Sequence, residues 1–283
     1  MARQSSPSVD RPTLEYLSHL GPHRVASGDL SVTGTPGAVV APVSGRDRPV
    51  VALGHGWMQP VHRYSATMRY LASWGFIVVA PATERGPIPS HSGLGVDLSR
   101  SLRAVLGGSL AGGVVTGDKA RLGVIGHSVG GGAAVLAAAA DGAIRAVVTV
   151  TAVTTRAALR AAGNVTAPGL HLVGADDEMS GQAGVELAGS WAGPVQLREV
   201  KGAKHLGLAE GKHWTTAIVG AGAEKRIQQA TRTLTTAFLL RHLAGQDQLA
   251  DELEAKVPGT SLVELLGSAR GPGINDMIEA AAH

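Results

Sequence analysis

Short apolar runs alternate along this chain with longer amphipathic segments. Apolar runs bounded by glycine or proline are typical of strands buried on both faces, and apolar residues recurring every three or four positions are typical of helices. The runs predict strands at Pro49–Leu53, Phe76–Ala80, Leu122–Ile125, Ala146–Val150, Gly169–Val173 and Val195–Val200. The helical spacing predicts helices at residues 61–74, 94–110, 133–140, 182–191, 225–243 and 247–256.

The order of these elements predicts the fold class. Strands that alternate with helices of this length are joined by right-handed crossovers and form a mostly parallel sheet. Two extended patches within Val25–Val43 predict an antiparallel hairpin at a sheet edge, and Gly45–Arg48 reads as a turn before the next strand. We therefore expect an α/β fold in which helices flank a mostly parallel central sheet.

The chain has 283 residues, without an internal repeat or a dividing linker. We expect a lead-in at residues 1–20 with a short helix near Leu14–Leu20, an α/β domain at residues 21–266 and a peripheral tail at residues 267–283. Because no long helical insertion follows Val150, we expect no large lid domain.

Composition excludes several classes of function. The 25 basic and 22 acidic residues form no Lys/Arg block, so no nucleic-acid partner is expected. The absence of cysteine removes disulfides, thiolate metal sites and cysteine nucleophiles. No apolar run reaches membrane-spanning length, and the first residues lack the apolar core of a secretory signal. We expect a cytoplasmic protein without a membrane span, and the alternative is the mature form of a secreted protein.

One stretch predicts nucleophilic chemistry: Gly126-His127-Ser128-Val129-Gly130. It lies between an apolar run and a helix-forming segment, and a Gly-x-Ser-x-Gly turn from strand to helix exposes its serine as a nucleophile. The competing interpretations are an inert serine in a glycine-rich turn and a phosphate-binding loop. No Gly-Lys-Ser/Thr follows, and the glycine spacing fits a dinucleotide fingerprint poorly, so we favour Ser128 as a nucleophile.

A serine nucleophile needs a base, and the base needs an orienting acid. In folds where the nucleophilic serine lies in a sharp turn between a strand and a helix, the order along the chain is serine, then acid, then histidine. His205 directly follows a predicted strand and is our candidate base, ahead of His213, His242 and the terminal His283. The acid lies among Asp176, Asp177 and Glu178, and at least two of these three are expected to be solvated turn residues.

The developing oxyanion needs two backbone N–H donors. Val129, directly after the serine, is the first candidate. Trp57, in the loop after the Pro49–Leu53 strand, is the second, and its alternative role is core packing. His55 and His127 flank the site, and we expect both to be structural.

These motifs resemble those of the α/β-hydrolase superfamily, in particular the branch of cutinases, polyester hydrolases, chlorophyllases and dienelactone-hydrolase-like esterases. The resemblance spans about residues 49–245. It rests on Gly54-His55-Gly56-Trp57, Trp74 to Ala80, Gly126 to Gly132, Gly174-Ala175-Asp176-Asp177 and Gly202-Ala203-Lys204-His205. It implies a triad of Ser128, Asp177 and His205, with Trp57 and Val129 as oxyanion donors. Asp177 is preferred because the resemblance implies a small or polar and then an aliphatic residue after the acid, which Glu178-Met179 approximates.

The chain also departs from that branch. Thr151-Ala152-Val153-Thr154 lacks the tryptophan that polyester hydrolases carry there, and dienelactone hydrolases use a cysteine where Ser128 stands. We therefore expect a serine hydrolase of carboxylic esters, independent of metal or cofactor, that acts on a small-molecule or polymeric ester. The alternatives are a cutinase-like polyester or lipid-ester hydrolase and a non-catalytic binding protein of the same fold.

Overall fold

Nine strands form one sheet in the computed structural model, which describes residues 13–106, 110–180, 182–205 and 221–265. Across the sheet the order is β1-β2-β4-β3-β5-β6-β7-β8-β9. The strands are β1 (Val25–Asp29), β2 (Gly37–Pro42), β3 (Gly45–Gly54), β4 (Ile77–Pro81), β5 (Val115–His127), β6 (Ile144–Val150), β7 (Gly169–Gly174), β8 (Val195–Val200) and β9 (Thr260–Leu262).

Six neighbouring strands pair in parallel, namely β4, β3, β5, β6, β7 and β8 in their order across the sheet. Strands β1 and β2 at one end and β9 at the other pair antiparallel. The predicted mostly parallel sheet and the predicted edge hairpin are both confirmed. Because the carboxyl ends of parallel strands meet at one edge, the loops after β3, β5, β6, β7 and β8 converge there.

Helices cover both faces of this sheet, as expected of an α/β-hydrolase fold. One buried apolar cluster packs α1, α2, α7 and α8 against the sheet, and the other packs α3, α4, α5 and α6. The helices are α1 (Leu14–Leu17), α2 (Ser65–Ser73), α3 (His91–Leu106), α4 (Val129–Ala140), α5 (Arg156–Ala162), α6 (Ala183–Gly189), α7 (Ala221–Ala244) and α8 (Leu249–Glu254). No helix in the described ranges is long and apolar enough to cross a bilayer.

Two local predictions are wrong, and two short elements were not predicted. The predicted turn at Gly45–Arg48 belongs to β3, because these polar residues pair irregularly with the first part of β5. Helix α4 begins at Val129 rather than Ala133, so the glycines after the serine are helical. A short helix, α5, and an edge strand, β9, lie where none was predicted. Residues 1–12 of the expected lead-in and the expected tail at 267–283 lie outside the described residues.

Glycines bring the start of α4 into backbone contact with β3 and β5. A Cβ on Gly126 would fall on the carbonyl oxygen of Gly130, and a Cβ on Gly130 would fall on the carbonyl oxygen of Gly54. The Gly130 N–H donates to the His55 carbonyl oxygen at 3.1 Å. Only glycine at these positions permits this approach of helix to sheet.

We expect Gly126→Ala to lower the free energy of unfolding by about 3 kcal/mol or more, since the backbone atoms it would meet cannot move aside. Gly142→Ala is the matched control, because a Cβ there meets nothing within 4 Å. Urea denaturation followed by tryptophan fluorescence measures both. Equal stabilities of the two variants would contradict the close approach.

A buried histidine lies in the middle of the sheet. His171 of β7 is 0% exposed, with its Nδ1 2.8 Å from Thr149 Oγ1 and its ring edge-to-face with Trp191 at 4.8 Å between centroids. Burial lowers the pKa of His171 from 6.5 to about 3. The ring is therefore neutral in the folded protein at neutral pH.

This burial predicts a pH dependence of stability. Above pH 6.5 the ring is neutral in the folded and unfolded chains alike, but between pH 6.5 and about 3 only the unfolded chain binds the proton. The protein therefore loses stability as the pH falls through this window, by up to about 1.4 kcal/mol per pH unit from this residue. His171→Gln should flatten the slope of unfolding free energy against pH between about pH 6 and 5. An unchanged slope in His171→Gln would contradict the neutral state.

Candidate active site

The loops at the carboxyl edge of the sheet carry the predicted site residues. Ser128 connects β5 to α4, Trp57 follows β3, Asp177 follows β7 and His205 follows β8. Four segments that are distant in the chain thus meet at one edge.

Ser128 occupies a strained turn. Its backbone has φ 55° and ψ −120°, a sparsely populated conformation for a residue with a side chain. Its N–H donates to the Val150 carbonyl oxygen at 3.1 Å, which ties the turn to the neighbouring strand. Ser128 is 3% exposed, so the surrounding protein covers it almost completely.

The Ser128 hydroxyl lies against the imidazole of His205. The distance from Ser128 Oγ to His205 Nε2 is 2.6 Å, and His205 is buried. Gly202, with φ +71°, turns the chain back from β8 towards the sheet edge. Because the other ring nitrogen faces a carboxylate, the contacts are satisfied when Nδ1 carries the proton and Nε2 accepts from the serine.

Asp177 is the acid that reaches His205. Its Oδ2 and Oδ1 lie 3.1 and 3.2 Å from His205 Nδ1, and its side chain is 1% exposed. Asp176 and Glu178 are exposed and have no such contact. The structure therefore separates three consecutive acids that the sequence left nearly equivalent.

Ser180, which the sequence analysis assigned no role at the site, holds the Asp177 carboxylate in place. Its hydroxyl donates to Oδ2 at 2.5 Å, and the N–H groups of Met179 and Ser180 donate to Oδ1 at 2.9 and 3.1 Å. Burial by itself raises the pKa of Asp177, but the hydrogen bonds from His205 and Ser180 outweigh it and lower the pKa to about 2. The carboxylate is therefore ionised at neutral pH. The only sequence signal for Ser180 is its position three residues after an aspartate, where a carboxylate can accept from backbone N–H groups.

Two backbone N–H groups near Ser128 are without an acceptor among the described residues, and they are those predicted to bind an oxyanion. Val129 is the first residue of α4, so its N–H has no acceptor within the helix. The N–H of Trp57 likewise has no acceptor in the described part of the chain, whereas the N–H of its neighbour Gly56 donates to Tyr64 Oη. The alternative of core packing for Trp57 is wrong, since the residue is 49% exposed and its indole N–H donates to the Pro87 carbonyl oxygen.

His55 and His127 are both buried beside this site. The ring nitrogens of His55 lie 2.9 and 2.7 Å from the carbonyl oxygens of Gly56 and Thr83, so the ring links the loop after β3 to the loop after β4. Burial lowers the pKa of His127 to about 4, which keeps its ring neutral at neutral pH.

The other histidines considered as bases do not join the site in the described residues. His242 lies in α7 and packs on Phe238, with ring centroids 4.5 Å apart. His213 and His283 lie outside the described residues. Among the described residues, no group of three or more histidines and acids could hold a metal ion.

Large apolar side chains are exposed on the loops that carry the site. Met58 beside Trp57 is 56% exposed, Ile88 in the loop after β4 is 92% exposed, and Met179 beside Asp177 is 67% exposed. The loops after β3, β4 and β7 thus each expose at least one large apolar side chain at this edge of the sheet.

Taken together, the arrangement can pass the Ser128 proton to His205 and stabilise the imidazolium through an ionised Asp177. Comparison with protein families shows that the chain is similar to the chlorophyllase family over residues 22–158. This stretch includes Trp57, Ser128 and Val129 and ends before Asp177 and His205. A comparison with curated proteins returns no match.

Proposed function

We propose that the protein is a serine hydrolase of carboxylic esters, because its sheet and helices form an α/β-hydrolase fold and residues 22–158 match the chlorophyllase family. One observation carries this proposal. Ser128 Oγ, His205 Nε2, His205 Nδ1 and the Asp177 carboxylate form a continuous line of contacts at 2.6 and 3.1 Å, between a serine in a strained turn and an ionised acid.

In the first half of the reaction, Ser128 Oγ attacks the ester carbonyl carbon while His205 Nε2 takes the hydroxyl proton. The carbonyl π electrons move to oxygen, and the N–H groups of Val129 and Trp57 donate to this oxyanion. The C–O bond to the alcohol then breaks, and the alcohol leaves with the proton from His205. Ser128 is left as an acyl ester.

In the second half, water attacks the acyl ester while His205 accepts one of its protons. The new tetrahedral intermediate collapses, Ser128 Oγ leaves as the proton returns to it, and the carboxylic acid is released. Asp177 stays ionised throughout and stabilises the imidazolium in both halves. Its low pKa suits this role, because the carboxylate does not take the proton itself.

We expect Ser128→Ala to lower kcat/KM for a short p-nitrophenyl ester by at least about a thousandfold, since no nucleophile remains. The wild type should react with a fluorophosphonate probe and gain one phosphonyl group per chain, at Ser128, while the variant should gain none. Mass spectrometry and a spectrophotometric assay measure these results. A Ser128→Ala variant with full activity would overturn the proposal, and a wild type that neither reacts nor hydrolyses any ester would instead favour the non-catalytic binding protein.

The three neighbouring acids provide a matched series. We expect Asp177→Asn to lower kcat at least about a hundredfold, because the imidazolium loses its counter-ion and the favoured tautomer of His205 changes. Asp176→Asn and Glu178→Gln remove the same charge from exposed positions one residue away and should stay within about threefold of the wild type. A larger loss at Asp176 or Glu178 than at Asp177 would reject Asp177 as the acid.

A lipid-ester or polyester substrate is the second candidate, and the exposed apolar side chains around the site favour it. An ester with a long apolar chain could cover Trp57, Met58, Ile88 and Met179, whereas acetate esters could not. In a panel of p-nitrophenyl esters of increasing acyl length, this candidate predicts that kcat/KM rises with length and that Met179→Ser flattens the rise. A preference for acetate, without hydrolysis of polyester film, would reject it.

A further inference from the structure

The main-chain carbonyl oxygen of His205 accepts two side-chain hydrogen bonds. His127 Nε2 lies 2.8 Å from it, and Thr151 Oγ1 also lies 2.8 Å from it. Both donors are almost completely buried, at 0% and 2% exposure. Because the carbonyl belongs to the residue that carries the proposed base, these two bonds hold the backbone from which the imidazole projects.

His127 also connects His205 to residues 55–60, the loop after β3 that carries Trp57 and is called the oxyanion loop below. A carbonyl oxygen can only accept, so His127 Nε2 carries the proton and Nδ1 must accept from Tyr64 Oη, 2.8 Å away. Tyr64 Oη in turn accepts from the N–H of Gly56, beside Trp57, at 2.9 Å. The direction of every bond from Gly56 to His205 is therefore determined, and the neutral state of the buried His127 suits it.

Thr151 holds its position at a conformational cost. It lies just beyond β6 with φ +43°, where a β-branched residue is rarely found. Its N–H donates to the Leu172 carbonyl oxygen at 2.8 Å, which anchors this backbone to β7. Strain of this kind persists where surrounding contacts over-determine it, and here it aims the hydroxyl at His205.

We propose that Thr151, His127 and Tyr64 are positioning residues. They fix residues 201–205, which carry the proposed base, relative to Ser128 and to the oxyanion loop. This inference rests on the proposed esterase function. None of the three is assigned a contact with the substrate. They act through the His205 backbone and through Gly56, so that the 2.6 Å contact between Ser128 and His205 is formed before the substrate binds.

Geometric precision of this kind affects catalysis more than binding. A displacement of about 1 Å between reacting groups can lower the rate about a hundredfold. A buried polar network that only stabilised the fold would, on removal, lower the unfolding temperature and leave kcat of the folded protein unchanged. The ratio of these two effects separates the two roles.

The central experiment compares Thr151→Val with Thr149→Val. Both remove one buried threonine hydroxyl that bonds to a histidine residue, but Thr149 bonds the His171 ring inside the sheet, away from the site. We expect Thr151→Val to lower kcat on a short p-nitrophenyl ester at least about tenfold with KM within about twofold, and Thr149→Val to leave kcat unchanged. Unfolding temperatures are measured for both.

Three further variants keep the test decisive. Thr151→Ser retains the hydroxyl and should stay within about threefold of the wild type in kcat. Thr151→Gly removes the hydroxyl but accepts the positive φ without strain, so it should fold even if Thr151→Val does not, and should lose kcat at least about tenfold. Tyr64→Phe should also lower kcat, and its effect should be less than multiplicative with that of Thr151→Val because both act on one network.

A kcat within about threefold of the wild type in both Thr151→Val and Thr151→Gly would overturn the positioning role, as would an equal loss in Thr149→Val. Ser128→Ala is assayed alongside. If Ser128→Ala keeps its activity, the proposed function itself fails. If Ser128→Ala is inactive while the Thr151 variants are unimpaired, only the positioning network fails.

Discussion

The backbone contact among Gly54, Gly126 and Gly130 is the constraint on which the rest of the site depends. It lets the N-terminus of α4 approach β3 and β5 so closely that no Cβ fits between them. This approach forces Ser128 into its strained turn and keeps its hydroxyl at the sheet edge. It also brings the His55 carbonyl onto the Gly130 N–H, so that the loop bearing Trp57 lies beside the start of the helix. The proposed nucleophile and both proposed oxyanion donors are therefore positioned by one packing requirement.

The pKa values of Asp177 and His127, which lie near this contact, are both lowered in ways that suit the site. Asp177 is ionised because its hydrogen bonds from His205 and Ser180 outweigh the cost of burying the carboxylate, and the N–H of Met179 donates to it as well. His127 stays neutral because burial disfavours its proton, and a neutral ring is the form that can both accept from Tyr64 and donate to the His205 carbonyl. A single anion facing an imidazole is the arrangement that stabilises an imidazolium when serine gives up its proton.

Much of the fold could be predicted from the sequence because its signals are local. The buried parallel strands are continuous apolar runs, and the long helices repeat apolar residues at helical spacing. The parts that were missed depend on pairing with distant segments. Gly45–Arg48 and the first half of β5 are too polar to indicate strands, and each becomes one only because the other lies beside it. Likewise, β9 exists because Thr260–Leu262 completes the open edge of β8.

For the site, the sequence by itself determined the strand–Ser128–helix turn, the presence of a histidine after β8 and an acidic cluster after β7, because each is marked by neighbouring residues. Only the tertiary structure decided that Asp177, rather than Asp176 or Glu178, faces His205, since a shift of one residue changes the direction of a carboxylate and leaves composition unchanged. It also decided the roles of Tyr64, His127 and Thr151. Their bonds join residues as many as 78 positions apart, and no periodicity or spacing along the chain encodes such a contact.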